Sequence, residues 1–271
     1  MKTRAITGFF FVIVMLGSVL LGQYPFGIFY LLLIILCQRE FYGLIKQSGF
    51  KPNLVWGLIN GFFIYTVFAI IPFFNANALI FHKLLFLIPV TLSVVFIQEL
   101  FNKTEAPFSN IAYTFLGLIL ICIPFTFFQA MAYVKGDFNF HFPLAFLLLL
   151  WANDTGAYLT GRQFGRTKLF ERHSPKKTWE GFFGGMVIAA GVALIISHYF
   201  NDLPWNRWVA IAILISCFGT LGDLVESMFK RSINVKDSGG ILPGHGGLLD
   251  RFDGLFIAAP VVYAYLYLVL N

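Results

Sequence analysis

Charge is what this sequence has least of. Only 12% of its 271 residues are Asp, Glu, Lys or Arg, against about 25% in a soluble globular domain. Hydrophobic residues make up 58% of the chain, 34 residues are Phe, and the mean hydropathy is +0.79. Too little polar surface remains to face water on all sides, so lipid is the solvent for most of the protein. Cysteine is also scarce. Cys37, Cys122 and Cys217 stand singly in apolar stretches without CxxC spacing, which excludes a disulfide frame and a cysteine metal knuckle. No internal repeat or low-complexity linker interrupts the chain. The net charge of +6 does not point to nucleic acid. The basic residues fall between long apolar runs, so anionic lipid surfaces and phosphate-bearing substrates are the expected partners.

What is abundant is apolar sequence in runs long enough to cross about 30 Å of hydrocarbon. They fall near 5–21, 25–45, 55–74, 82–101, 111–133, 142–161, 179–199, 206–228 and 252–270, which predicts an all-α polytopic membrane protein of nine spans. The second is the weakest, because Arg39 and Glu40 interrupt it; both are expected near its cytoplasmic end. Lys2 and Arg4 precede the first apolar run without a small-x-small cleavage site, so that run is read as an uncleaved helix. With the N-terminus inside, 16 of the 19 Lys and Arg residues fall on the cytoplasmic side and only Lys83, Lys135 and Arg207 outside. The expected location is a bacterial cytoplasmic (inner) membrane, with the N-terminus in and the C-terminus out.

The polar residues are unevenly spread. Residues 150–254 hold nine of the 13 acidic and 11 of the 19 basic residues. Residues 1–140 therefore read as a transmembrane scaffold and residues 141–271 as the catalytic region, with charged cytoplasmic loops near 161–178 and 229–251.

The densest constellation runs from Ser227 to Asp253. Asp250 and Asp253 are three apart at the start of the last span, hence on one helical face. Paired carboxylates at a membrane rim suit a hard, oxygen-seeking cation such as Mg²⁺. The glycines around Gly246 and Gly247 let backbone amides form an anion-binding nest. Lys230, Arg231, Lys236 and Arg251 bring positive charge to phosphate oxygens. Carboxylates for metal, with cations and amides for phosphate, are the means of phosphoryl or nucleotidyl transfer. A basic loop that only sets topology would need neither the paired aspartates nor the glycine-rich turn. His245, between glycines, is read either as a phosphate or acid–base group or as a turn-stabilising residue.

Asp223, Glu226 and Ser227 share a face of the eighth span, where ionisable groups are costly. Gly219 and Gly222 would let that face approach Asp250 and Asp253 closely; a structural ion pair is the competing reading. Asn153 and Asp154 lie at membrane depth in the sixth span. The segment Ser174-Pro-Lys176-Lys177-Thr178-Trp-Glu180 ends at a helix start, with Thr178 as its cap, Glu180 in its first turn and two lysines before its N-terminus. Glu99 has no place in this scheme.

The run Ser227-x-x-Lys230-Arg231, four residues, Lys236-Asp237, then Pro243-x-His245-Gly246-Gly247 and Asp250-Arg251-x-Asp253 resembles the signature of the phosphatidate cytidylyltransferases (CDP-diacylglycerol synthases). The segments from Asp154, Gly161 and Ser174 resemble the same family, so the likeness is close over about 154–254. It implies that CTP and phosphatidic acid react to CDP-diacylglycerol and pyrophosphate with Mg²⁺, a second monovalent or divalent cation being open. For that reaction the expected metal set is Asp223, Asp250 and Asp253, with Lys176, Lys177, Lys230, Arg231, Lys236 and Arg251 holding the triphosphate and phosphatidate head groups. Small-residue faces permit a homodimer without demanding one. Two rival readings remain at this point: a CTP-dependent kinase of a polyprenol or phytol, and an ion-coupled transporter. Against the transporter, the charges crowd one face and one half of the chain.

Overall fold

The computed structural model describes residues 2–70, 78–235, 238–240 and 246–270. It is a bundle of helices with a single two-stranded sheet among the described residues. The helices are α1 Lys2–Leu20, α2 Gln23–Gln47, α3 Leu54–Tyr65, α4 Ala78–Phe101, α5 Pro107–Gly117, α6 Ile123–Met131, α7 His141–Phe164, α8 Trp179–Tyr199, α9 Trp205–Ser232 and α10 Leu249–Leu270. A π-turn, Thr66–Ile70, extends α3. Another, Leu118–Cys122, joins α5 to α6, so residues 107–131 form one rod. Seven helices among the described residues are long and apolar enough to cross a membrane, and Thr7–Leu20 and Leu54–Ala69 are shorter apolar helices.

A belt of exposed apolar side chains covers the bundle, among them Phe86, Leu100 and Leu268. In water such a surface would be costly; in lipid it is the solvated one. With no hydrophobic gradient between lipid and core, helices associate through close packing of small residues. Two crossings show this. Gly156 of α7 meets Gly185 of α8, where an added Cβ would sit 3.0 Å from the opposing Cα, and Gly222 of α9 meets Gly254 of α10. Aromatic rings fill the remaining interior: Tyr30 and Phe128 lie 4.8 Å apart, Phe125 and Phe252 5.1 Å apart.

Three local features sharpen the sequence reading. The second span is one helix, as expected, with Arg39 and Glu40 in the last third of α2. The loop expected near 161–178 contains an antiparallel hairpin, β1 Lys168–Phe170 with β2 Ser174–Thr178; strands this short and polar leave no periodic signal. Glu99, near the end of α4, is buried and accepts hydrogen bonds from Asn102 (3.1 Å), Thr104 (2.7 Å) and Asn110 (2.7 Å). Its role is to gather the turn before α5.

Candidate active site

Where α7, α8, α9 and α10 converge, at the end of the bundle that carries the hairpin, they enclose a cavity of about 770 Å³. Three turns of sequence logic bring its polar groups together. Thr178, extended and with its Oγ1 accepting from the Gly181 amide at 3.2 Å, caps α8 and sets Lys176 and Lys177 just ahead of the helix N-terminus. The close crossing at Gly222 brings Asp223 of α9 beside Asp253 of α10. Asn153 and Asp154 reach the same space from α7, whose wall against α8 is thinned by Gly156.

Of the residues singled out in the sequence, Asn153, Asp154, Lys176, Lys177, Thr178, Asp223, Asp250, Arg251 and Asp253 line this cavity. Lys177 Nζ lies 2.6 Å from Asp223 Oδ2, and the Ser227 hydroxyl donates to Asp223 Oδ1 at 3.3 Å. Asp253 accepts the Gly254 amide at 2.7 Å and lies within electrostatic range of Asp154, Asp223 and Glu226. So many carboxylates around one group require compensating positive charge.

The other candidates stand apart. Lys230 is a hub behind the wall, 2.5 Å from Glu226 and 2.6 Å from Asp250; for Glu226 the competing reading, a structural ion pair, is the one the geometry gives. Glu180 does not line the cavity. Its carboxylate accepts from the backbone amides of Arg166 (3.1 Å) and Thr167 (3.1 Å), so it pins the hairpin. Ser174 begins β2 and pairs with Phe170. Arg231 donates to the Val235 carbonyl at 3.3 Å, closing the end of α9. Gly246 and Gly247 lie in the loop before α10, with Gly246 at φ 81° and the Gly247 amide on Asp250. Lys236, Asp237 and His245 lie outside the described residues.

Asp250, expected in the metal set with Asp223 and Asp253, lines the cavity and is also bonded by the protein. Its Oδ1 accepts from Lys230, and its Oδ2 accepts the amides of Ser238 (3.1 Å) and Gly247 (3.0 Å). Both oxygens are engaged by the protein. Among the described residues no three metal-ligating side chains converge to ligand distance. The carboxylates that line the cavity, Asp154, Asp223, Asp250 and Asp253, offer oxygen donors that suit a hard divalent cation.

Two contributions were missed in the sequence. Thr7, Gly8, Phe11 and Val12 of α1 line the cavity, so its wall crosses the boundary drawn at residue 140; small and apolar residues give no chemical sign of this. Glu40 of α2 accepts hydrogen bonds from Ser238, Leu248 and Leu249. Its position within an apolar run was the available signal, since an ionisable group there is expensive unless used.

An all-α polytopic fold with acids, lysines and an arginine around a cavity where four helices converge points to the class: an integral membrane group-transfer enzyme working on phosphates. The particular family follows from comparison. Residues 2–269 match the cytidylyltransferase family. The chain is 35% identical over 264 residues to the phosphatidate cytidylyltransferase of Staphylococcus aureus (strain COL), covering 97% of each chain. It is 33% identical to the phosphatidate cytidylyltransferase of Staphylococcus haemolyticus and 34% identical to that of Staphylococcus epidermidis, with the same coverage. The chain belongs to the cytidylyltransferase family and is a nucleotidyltransferase.

Proposed function

We propose that this protein joins CTP to phosphatidate, releasing pyrophosphate and leaving CDP-diacylglycerol in the membrane. The single observation that carries the reading is the cavity in which Asp154, Asp223 and Asp253 face Lys176, Lys177 and Arg251. The chain's likeness to phosphatidate cytidylyltransferases, 35% identity over 97% of its length, selects the substrates. A phosphate oxygen of phosphatidate attacks the α-phosphorus of CTP. The new P–O bond forms as the bond to the bridging oxygen breaks, and pyrophosphate leaves with that electron pair. The nucleophile is already an anion, so no strong general base is needed, and the protein contributes orientation and charge neutralisation. Lys176, Lys177 and Arg251 hold phosphate oxygens, Arg251 as a fork.

Asp223, Asp250 and Asp253, with Asp154 beside them, would hold a divalent cation, Mg²⁺ in this reading. When bound it offsets the charge of the triphosphate and polarises the phosphoryl group. The Lys177–Asp223 pair leaves a lysine at the place where anionic substrate and cation would meet. Phosphatidate resides in the leaflet and CTP in the cytosol, which places the cavity on the cytoplasmic face of the bacterial inner membrane, with the N-terminus inside and nine passes. Residues 141–271 would carry most of the chemistry on a scaffold of residues 1–140.

The test uses purified protein in detergent with labelled CTP and phosphatidate, with Mg²⁺ or with EDTA. Label should appear in a chloroform-soluble CDP-lipid only with metal present. CDP and a newly phosphorylated lipid alcohol would instead indicate a kinase, and turnover undiminished in EDTA would remove the cation from the reading.

A further inference from the structure

Glu40 is 198 residues from Ser238 in sequence, yet its Oε1 accepts the Ser238 hydroxyl at 2.9 Å. Its Oε2 accepts the amides of Leu248 at 2.7 Å and Leu249 at 3.2 Å. Those amides open α10 and have no partner inside the helix, and a carboxylate is the favoured charge at that end. A second set of bonds goes beyond capping. The Ser238 amide donates to Asp250 Oδ2, as does the Gly247 amide. Ser238 therefore bridges two carboxylates, its hydroxyl on Glu40 and its amide on Asp250. Asp250 continues the chain to Lys230, and Lys230 to Glu226.

The loop is shaped to receive Glu40. A Cβ added at Gly239 or Gly247 would collide with its Oε1. The neighbouring Phe41 stacks on Phe229 with ring centroids 4.9 Å apart and planes 23° apart, which holds α2 against the turn of α9 that carries Lys230. The carboxylate is thus presented on a packed helix to glycines that leave no room for a side chain at either position.

We infer that Glu40 is a positioning residue for the transfer site: acting through Ser238 and the first amides of α10, it fixes the direction in which Asp250 and Arg251 meet the cavity. This rests on the nucleotidyl-transfer reading of the cavity. Glu40 does not line the cavity itself, so its effect falls on alignment rather than on affinity. A cap alone would lower the melting temperature and leave the turnover of folded protein unchanged.

The experiment compares wild type, Glu40→Gln, Glu40→Asp, Ser238→Ala and the Glu40→Gln/Ser238→Ala double variant in detergent. Each is assayed for kcat and for KM toward CTP and phosphatidate. Misalignment of reacting groups by about 1 Å costs on the order of 100-fold. Glu40→Gln, which presents an amide to donors, should lose about 30-fold or more in kcat with little change in either KM. Glu40→Asp should recover part of that loss. The double variant should be no worse than the poorer single one, because both substitutions cut the same link. A kcat within twofold of wild type in folded Glu40→Gln overturns the inference, and so do losses that multiply in the double variant. Hydrogen exchange at residues 246–249 reads the same link without turnover: Glu40→Gln should speed it, and unchanged exchange overturns the inference. An inactive wild type would instead overturn the reading of the cavity.

Discussion

Lys177 and Asp223 pair at 2.6 Å on the cavity wall, while among the described residues Asp154 accepts only a 3.3 Å hydrogen bond from Asn153. The acids of the cavity thus differ in how far the fold also depends on them: Asp250 carries Lys230 and two amides on its oxygens, whereas Asp154 carries no such load among the described residues. Asp154→Asn should therefore lower turnover by about 100-fold while the melting temperature stays within about 2 °C. Asp250→Asn should lose turnover and melting temperature together, because it breaks an ion pair and faces an amide group toward backbone N–H donors. Thermal unfolding and CDP-diacylglycerol formation, measured on the same preparations, separate the two. Equal loss of melting temperature in both variants would dissolve the distinction. The sequence made the acids visible, since Asp223 stands inside an apolar span, where charge is costly, and Asp250 and Asp253 stand three apart at the start of another. It could not say which oxygens were taken. That depends on Lys230 and Ser238 folding over Asp250 from either side, and no spacing rule encodes it.

The hairpin is the element on which the site's two lysines ride. Its strands hold only three and five residues, too few to be stable alone. The N-terminal turn of α8 supplies the support: Glu180 accepts two amides from Arg166 and Thr167, and the Trp179 amide donates to the Thr167 carbonyl at 3.0 Å. Glu180→Ala should free the hairpin and raise KM for CTP up to about 100-fold. KM for phosphatidate should change less, and proteolysis within 167–178 should become faster. Glu180→Gln, which keeps one acceptor oxygen, should fall between. A KM for CTP unchanged in Glu180→Ala would show that the lysines need no hairpin to place them. In the sequence, Thr178 and Glu180 already mark a helix start. The capping geometry was legible because it is local, within three residues. The use of Glu180 as a clamp was not, because its partners lie 13 and 14 residues back in a segment without strand periodicity.

The opposite end of the bundle is built for permanence. There Asp202, between α8 and α9, accepts from Lys135 at 2.8 Å, from Asn139 at 2.8 Å and from His141, joining the turn before α7 to the turn before α9. Burial acts to raise the Asp202 carboxyl, but the hydrogen bonds of Lys135 and His141 outweigh it and hold it below the ordinary value of 3.8. A depressed folded-state value means that the stabilisation is complete above the ordinary carboxylate range and is lost as pH falls through the lowered one. The melting temperature should thus be level between about pH 5 and 6 and decline below about pH 4. Asp202→Asn should melt lower at pH 6 and lose that part of the acid dependence. An identical acid limb in the variant would assign the decline to other groups.

At the scale of the whole molecule, the charge at one end and the tie at the other define two faces, and the proposed orientation states which compartment each one meets. Sixteen of 19 basic residues fall on one side under nine passes, although only seven helices, among the described residues, meet the length and hydropathy expected of a span. The two shorter ones, Thr7–Leu20 and Leu54–Ala69, decide the matter, because removing either would turn every later loop to the other side. Cysteine labelling resolves this: Cys37 and Cys122 are buried and Cys217 half-buried, so a cysteine-free background perturbs packing rather than surface. In that background Lys135→Cys, near Asp202, should react in intact cells with a membrane-impermeant maleimide. Lys168→Cys, on β1, should react only after the membrane is opened. The reverse pattern would place the cavity away from cytosolic CTP and defeat the proposed reaction. Labelling of both residues from the same side would remove the pass between them. Since a single helix, α7, separates Lys135 from Lys168, the pair tests whether the helix that carries Asn153 and Asp154 crosses the bilayer and delivers them to the face where the two substrates meet.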